Sequence, residues 1–405
     1  MKRSLPLAVR FCAVVLITLP IHRLSAEDWP QWRGLNRDGV SSETGVCECS
    51  GAAPAILWKA SVGKGFSSCA VAQGKVFTLG NQDETDTVCC LDAETGQEVW
   101  KHSYPCALYP KSFEGGPLAT PAIAGDRVYT LSKFGDCFCL DAPTGHVVWS
   151  RKFEPPTATK ADYPVWWGFA GSILATPERL LLAVGTAGAA LDPLSGKVLW
   201  DNGPGYSGYS SPVGFRVGAQ SCFGFVSGHE IVVAQADNGR VLGKIPWKTT
   251  WDQNATDMIV QDGRLFVSSG HNVGCALFNL TGTSPVEVWR NKNLRTYLGN
   301  CVLWEGNLYG FDDKQLRCID WQTGAVRWTL PGTGLGTLIL ADSKLVVLRE
   351  EGTLLILEAT PEACRQLGRA KVLAGRCWSA PALANGRLYA RNATGDLVCV
   401  DLRRR

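Results

Sequence analysis

The chain has 405 residues, 45% hydrophobic and only 19% charged, with 44 glycines, 15 tryptophans and two methionines. That much apolar surface can bury a large core, which excludes a disordered chain, and the Gly- and Trp-rich, charge-poor balance suits short strands and tight turns. The net charge of +3 falls to −1 once the leader with Lys2, Arg3, Arg10 and Arg23 is removed, which excludes the basic footprint of a nucleic-acid binder.

Residues 1–26 read as a secretory signal. Lys2, Arg3 and Arg10 precede the apolar run Phe11 to Leu19, and Ser25-Ala26 offer a small-residue cleavage site before Glu27. The run is too short to span a bilayer, and no cysteine follows the cut, so neither an integral span nor a lipid anchor is expected. The mature chain is expected in the periplasm or outside the cell. It divides into a lead-in (27–54), one repeat domain (55–402) and a basic tail (403–405).

The repeat is carried by Asp-x-x-Thr/Ser-Gly-x-x-x-Trp. Well-formed copies are Asp92…Gly96…Trp100, Asp141…Gly145…Trp149, Asp192…Gly196…Trp200 and Asp320…Gly324…Trp328. Degenerate copies lie at Asn238-Gly239, where Gly243 stands for the Trp, and at Thr281-Gly282 with a displaced Trp289. Two more are Glu358-Ala-Thr360 and the terminal Asp401-Leu402. Eight units spaced about 40–50 residues apart signal a solenoid, propeller or array. Within each unit, four short β-rich runs are separated by Gly/Asp/Asn turns. The Asp can bond its own turn, the Gly supplies positive φ, and the Trp offers a flat surface to the neighbouring sheet. The expectation is all-β: an eight-bladed β-propeller of four-stranded antiparallel blades. The last unit lacks its Trp strand while Ala55-Ile-Leu-Trp58-Lys stands alone before the first. The N-terminal strand is therefore expected to complete the last blade and close the ring.

Sixteen cysteines include one in the leader, and Cys90, Cys139, Cys318 and Cys399 recur at one place in the repeat. Such placement predicts small buried hydrophobes rather than a disulfide framework.

First strands are expected to line the axis, where Ser67-Ser68, Thr120, Ser172, Ser210-Ser211, Asn254, Asn300, Thr337 and Ser379 form a ring of small polar residues. The connections leading into them place Tyr109, Lys111, Tyr163, Trp166, Trp167, Tyr209, Trp251, Asp252, Arg295 and Trp378 around the channel mouth. Aromatic and charged groups on loops of a rigid scaffold suit recognition of a ligand or peptide; mutual packing into a plug of the funnel is the other reading. The binding set is thus Tyr109, Lys111, Trp166, Trp167, Tyr209, Ser210, Ser211, Trp251, Asp252, Asn254, Arg295, Asn300, Trp378 and Ser379. The Trp29/Trp32 lead-in is expected to cover that face or seal a blade edge. His102, His146, His229 and His271 have no zinc-ligand spacing, and no Cys-x-x-Cys-His for covalent haem occurs. No catalytic or metal-ligating set is assigned.

The Asp-x-x-Thr-Gly-x-x-x-Trp units resemble the tryptophan-docking motif of PQQ-type repeat proteins over about residues 55–402. That family includes eight-bladed quinoprotein alcohol dehydrogenases and BamB-type outer-membrane assembly factors. Asp28-Trp-Pro-Gln-Trp-Arg-Gly34 resembles the lead-in of exported bacterial members. The resemblance implies, first, a non-catalytic monomeric binding protein for a protein, peptide or glycan in the cell envelope, with no cofactor. The alternative it implies is a PQQ- and Ca²⁺-dependent alcohol or sugar dehydrogenase. The chain lacks the longer insertions of such enzymes and any Glu/Asn/Asp set at matching blades. Cys89-Cys90 resembles their adjacent-cysteine ring but falls on a third strand, away from the axis, where alternation sends one thiol to each face.

Overall fold

The computed structural model describes residues 27–49, 53–108, 113–154, 167–280 and 285–404. The leader, Tyr109, Lys111, Tyr163, Trp166 and the Thr281-Gly282 turn lie outside the described residues. Eight sheets follow one another along the chain, each built on four antiparallel strands ordered from first to last, and the seventh gains a short parallel strand, Val40–Ser41, on its first. Blades 1 to 7 span 70–105, 122–152, 174–201, 213–246, 259–291, 302–330 and 336–371. Blade 8 takes Ala382–Ala384, Arg387–Arg391 and Asp396–Asp401 from one end of the chain and Ile56–Ser61 from the other. Trp58 pairs with Cys399 and Lys59 with Val398, so the ring closes as the orphan strand predicts.

Middle strands are buried on both faces and read as unbroken apolar runs, such as Leu345-Val-Val-Leu348 and Leu354-Leu-Ile-Leu357. Each hydrophobic cluster is shared by neighbouring blades, blades 1 and 2 for example joining Phe77, Leu79 and Trp100 to Ile123, Val128 and Leu140. Outer strands face water, and in all eight blades their pairing shifts register beside the docking position. A bulge at every rim twists the unpaired edge away from another sheet.

The docking motif locks each blade to the next. Asp92 Oδ1 accepts from the Thr95 amide (2.8 Å) and hydroxyl (2.8 Å), folding the turn onto itself. The indole of the preceding blade then lies on the glycine. A Cβ on Gly96 would stand 2.6 Å from Trp58, and one on Gly145 2.5 Å from Trp100. Each indole N–H donates to the carbonyl beside the turn: Trp58 to Ala93, Trp100 to Ala142, Trp149 to Pro193, Trp200 to Ala236, Trp289 to Trp321 and Trp328 to Thr360. The motif's glycine therefore serves close approach as well as positive φ. Where Gly243 replaces the Trp, Trp247 from the following connection packs blade 4 onto blade 5 and donates to Ser269 Oγ at 3.0 Å. Where Gly368 replaces it in blade 7, the lead-in backbone at Glu48 and Cys49 fills the gap.

All fifteen cysteines among the described residues are free, and all but Cys47 and Cys364 are buried. Cys89 packs toward blade 8 and Cys90 toward blade 2, on opposite faces of one strand. Burial pushes the Cys90 and Cys318 thiols up to about 12, so they behave as apolar packing groups.

Candidate functional site

The small polar residues at the axis form a relay between blades. The Ser68 amide donates to Thr120 Oγ1 (3.1 Å), the Thr120 amide to Ser172 Oγ (2.9 Å), and the Ser172 amide to Ser211 Oγ (3.0 Å). The Ser211 amide donates to Asp257 Oδ1 (2.7 Å) and the Asp257 amide to Asn300 Oδ1 (2.6 Å). From blade 1 to blade 6, one side-chain oxygen thus satisfies a backbone donor of the blade before it at each of five junctions, and around the closure the hydroxyls of Thr337, Ser379 and Ser68 donate to carbonyls instead. Ser210 and Asn254 lie one step aside and serve their own surroundings. Ser210 Oγ bonds both backbone groups of Val226, and the Asn254 amide holds the carbonyls of Ser227, Gly228 and Trp247.

At blade 5 the oxygen belongs to a carboxylate, and the lead-in gives the reason. The lead-in enters from the face of the docking turns, where Trp29 bridges Val71, Val40–Ser41 pairs in parallel with Gly336–Ala341, and Glu43 accepts the amides of Asn385 and Gly386. Its turns around Gln31–Arg37 rise into the channel. Trp32 Nε1 donates to Asp257 Oδ2 (2.7 Å), Arg33 Nη2 to the Cys301 carbonyl (2.5 Å), and Arg37 to the carbonyls of Ile173 (2.8 Å) and Ser172 (3.1 Å). The lead-in therefore seals the end of the channel opposite the mouth. Burial depresses both guanidinium pKa values, that of Arg37 to about 10, and Asp257 opposes the shift as the nearby countercharge.

Above Trp32 remains an axial cavity of about 120 Å³, lined by Ser172, Tyr209, Ser211, Asp257, Ser379 and the rings of Phe66 and Trp378. Its rim is aromatic: Phe66 stacks on Trp378 (5.8 Å), Trp378 meets Phe113 edge-on (4.7 Å), and Phe113 stacks on Trp167 (5.3 Å). Arg376 lies over Trp378 and Phe113 and pairs with Glu114 at 2.5 Å. Across the mouth, Trp251 is 59% exposed and Asp252 pairs with His229 at 3.1 Å. Between blades 5 and 7 an open groove of about 640 Å³ is lined by His271, Tyr297, Asp312, Asp313, Lys314 and Leu335. Its wall is rigid: Asp312, fully buried, takes Arg295 through two donors (2.7 and 2.9 Å) and Arg317 at 2.8 Å. Burial pushes the Asp312 carboxyl up, but these guanidinium partners outweigh it and hold it below its usual value.

The structure thus gathers Tyr209, Ser211, Trp378 and Ser379 at one cavity, with Asn300 one step behind it through Asp257. Trp167 lies on the aromatic rim, Trp251 and Asp252 on the opposite one, and Arg295 behind the groove. Asp257 and Arg376 were not singled out from the sequence; the relay position of Asp257, two residues beyond the Asn-Ala pair, was the available signal.

A profile described as "Outer membrane protein assembly factor BamB" matches residues 50–108 and 87–330, well over half the chain. The chain belongs to this BamB-like family of PQQ-type propellers. Its fold is also that of BamB from Moraxella catarrhalis, at 16% identity and TM-score 0.65 over 86% of this chain and 99% of that one. Quinohemoprotein alcohol dehydrogenase from Comamonas testosteroni shares it at 13% identity and TM-score 0.65, over 93% of this chain and 81% of that one. Polyvinylalcohol dehydrogenase of Sphingopyxis sp. (strain 113P3) is 28% identical over 131 residues, or 27% of this chain. That match spans only a fifth of the dehydrogenase's length. Among the described residues, no helix is long and apolar enough to cross a membrane.

Dehydrogenase relatives raise the question whether this BamB-like chain fits a quinone on its axis. The axial cavity is under half of the roughly 300 Å³ at which ligand pockets begin. Its floor is the chain's own Trp32. Its single carboxylate, Asp257, already has both oxygens taken, by Trp32 and by Ser211. The axial residues do not fit a tricyclic cofactor with a calcium ion beside it.

Proposed function

We propose that this chain is an exported binding propeller that recognises a protein partner of the cell envelope through its mouth face. The observation that carries the reading is the lead-in on the axis. The chain fills its own channel, so recognition falls to the mouth, where aromatic rims flank an open groove on a rigid blade scaffold. The name of the matched family, an assembly factor, supports a protein partner; peptides and glycans share the same aromatic and hydrogen-bonding chemistry. The dehydrogenase likeness supports a second reading, PQQ- and Ca²⁺-dependent oxidation of an alcohol, which the small axial cavity and its occupied carboxylate disfavour.

The test places photo-crosslinking residues at Trp251, Tyr297 and Trp378 on the mouth, and at Leu194 on a docking turn of the opposite face, in the native envelope. One partner captured from the mouth positions and not from Leu194 is expected. Equal capture from both faces overturns the mouth assignment. Stoichiometric PQQ uptake with Ca²⁺, accompanied by dye reduction with alcohols, overturns the non-catalytic reading.

A further inference from the structure

The hairpin of blade 1 is longer than its counterparts. Lys75–Gln82 and Thr85–Asp92 have eight residues each, against five and six in the matching strands of blade 2. The extra length builds one more cross-strand row at the mouth end: Asn81 stands opposite Asp86, and Asp86 opposite Tyr104. Residues opposite one another share a sheet face, and here that face is turned to blade 2, where Tyr104 packs on Phe138 at 4.8 Å. From blade 2, Thr130 lies on the same side as Val128, facing the row across the gap.

The row is buried, with Asp86 at 0%, Asn81 and Thr130 at 1% and Tyr104 at 8% exposure. Asp86 Oδ1 accepts from the Asn81 amide at 2.6 Å. The Cys106 thiol also lies against the Asp86 carboxyl and hydrogen-bonds it. Four oxygens sealed from solvent still lack a well-aligned partner: Asp86 Oδ2, Asn81 Oδ1, Tyr104 OH and Thr130 Oγ1. Leaving one buried polar atom unmade costs about 1–3 kcal/mol and a carboxylate oxygen more, so four together in one inter-blade gap call for a ligand.

The hairpins of blades 2 and 8 end one row earlier. Their last acids, Asp136 and Asp396, stand where blade 1 has Thr87; Asp136 pairs with Lys152 and Asp396 is solvent-exposed. Blade 1 adds Asp86 beyond that row, opposite Tyr104, and buries the carboxylate. The nearest cation, Lys133, sends its ammonium to the Leu108 carbonyl at 2.5 Å. Burial, the largest influence, raises the Asp86 carboxyl pKa, which a cation beside it would relieve.

We propose that the mouth end of the gap between blades 1 and 2 is a site for a hard cation, held by Asp86 Oδ2, Asn81 Oδ1, Tyr104 OH and Thr130 Oγ1. The four candidate ligands are oxygens, which select ions such as Ca²⁺ or Na⁺ over softer metals, and burial keeps the neighbouring Cys106 thiol protonated and so a poor ligand. A single carboxylate places the site in the weak class, with a Kd on the order of 10⁻⁴–10⁻³ M for Ca²⁺.

The experiment uses the full mature chain, stripped with chelator and held in choline chloride. Its melting temperature is followed against CaCl₂, NaCl and added choline chloride, and Tb³⁺ emission sensitised by neighbouring rings is recorded in parallel. A saturable rise of about 3 °C in Ca²⁺ or Na⁺ but not in choline is expected, and the ion producing it names the occupant. Tb³⁺ emission should be displaced by the same ion. Asp86→Asn, nearly isosteric, should abolish both signals with the far-ultraviolet spectrum unchanged, and Thr130→Val should weaken both should Asp86→Asn fail to fold. Cation responses equal to those in choline, or undiminished in folded Asp86→Asn, overturn the site.

Discussion

The glycine of a docking turn answers two demands at once. Gly145 has φ +75° and lies so close to Trp100 that a Cβ would approach to 2.5 Å, whereas Gly125, with φ +54°, has open space around it. Gly145→Ala should therefore cost about 3 kcal/mol and Gly125→Ala only about 1 kcal/mol, the strain without the clash, by urea denaturation. The motif's acid adds a pH signature. The Thr95 hydroxyl holds Asp92 below its usual carboxylate value, and the Ser195 hydroxyl does the same for Asp192. A depressed folded-state pKa contributes stability that is complete above the unfolded value of about 3.9 and fades as pH falls through the folded one. The stability gap between wild type and Asp192→Ala, measured as urea midpoints from pH 6 to pH 2, should be constant down to about pH 4 and then narrow. These positions were legible in the sequence because turn chemistry is local: Asp, Thr/Ser, Gly and Trp act within ten residues and repeat. What local reading could not give was the indole from the previous blade, since nothing in one unit says which neighbour its glycine touches.

At the scale of elements, the lead-in is where sequence reading reached least far. Trp29 and Trp32 point to a segment that covers the mouth face or seals a blade edge. It seals the opposite end of the axis and also backs the Trp-less rim of blade 7. The decisive contacts span more than a hundred residues, such as Arg37 to Ile173 and Arg33 to Cys301, and no periodicity encodes them. The axial ring shows the same limit in milder form. Its small polar residues were visible in the sequence, but the hydrogen-bond relay through them was not, and so Asp257 went unmarked. Asp257→Asn preserves an acceptor for Ser211 but leaves Arg37 without its buried countercharge and Arg33 with Asp38 alone. A loss of about 3 kcal/mol is expected. Adding Arg37→Met should recover part of that loss, giving a coupling of about 1 kcal/mol or more in a double-mutant cycle. Simple additivity would place the acid's role in the relay alone.

For the whole molecule, one seam differs in kind from the other seven. Elsewhere each docking Trp sits on a strand continuous with its own blade; at the closure, Trp58 belongs to a strand tied to blade 8 only by pairing and packing. Arg391, 1% exposed, strengthens that seam from the axis, donating to the carbonyls of Leu79 (2.6 Å), Gly63 (2.7 Å) and Ser67 (3.2 Å). Trp58 adds its hydrogen bond to Ala93 and its contact with Gly96. Truncating a buried tryptophan costs about 3–5 kcal/mol wherever it stands, so Trp58→Ala and Trp100→Ala should lower the urea midpoint comparably. Their local consequences should differ. With Trp100→Ala, both neighbouring blades keep their covalent order, and exchange should rise mainly around the Asp141 turn. With Trp58→Ala, the Ile56–Ser61 strand can leave, which exposes the edge of Asp396–Asp401 and opens the ring into an arc. Native-state hydrogen exchange should then show Leu397–Val400 losing protection at a free energy well below global unfolding. Equal, purely local exchange in both variants would mean that closure adds no cooperativity beyond an ordinary blade contact.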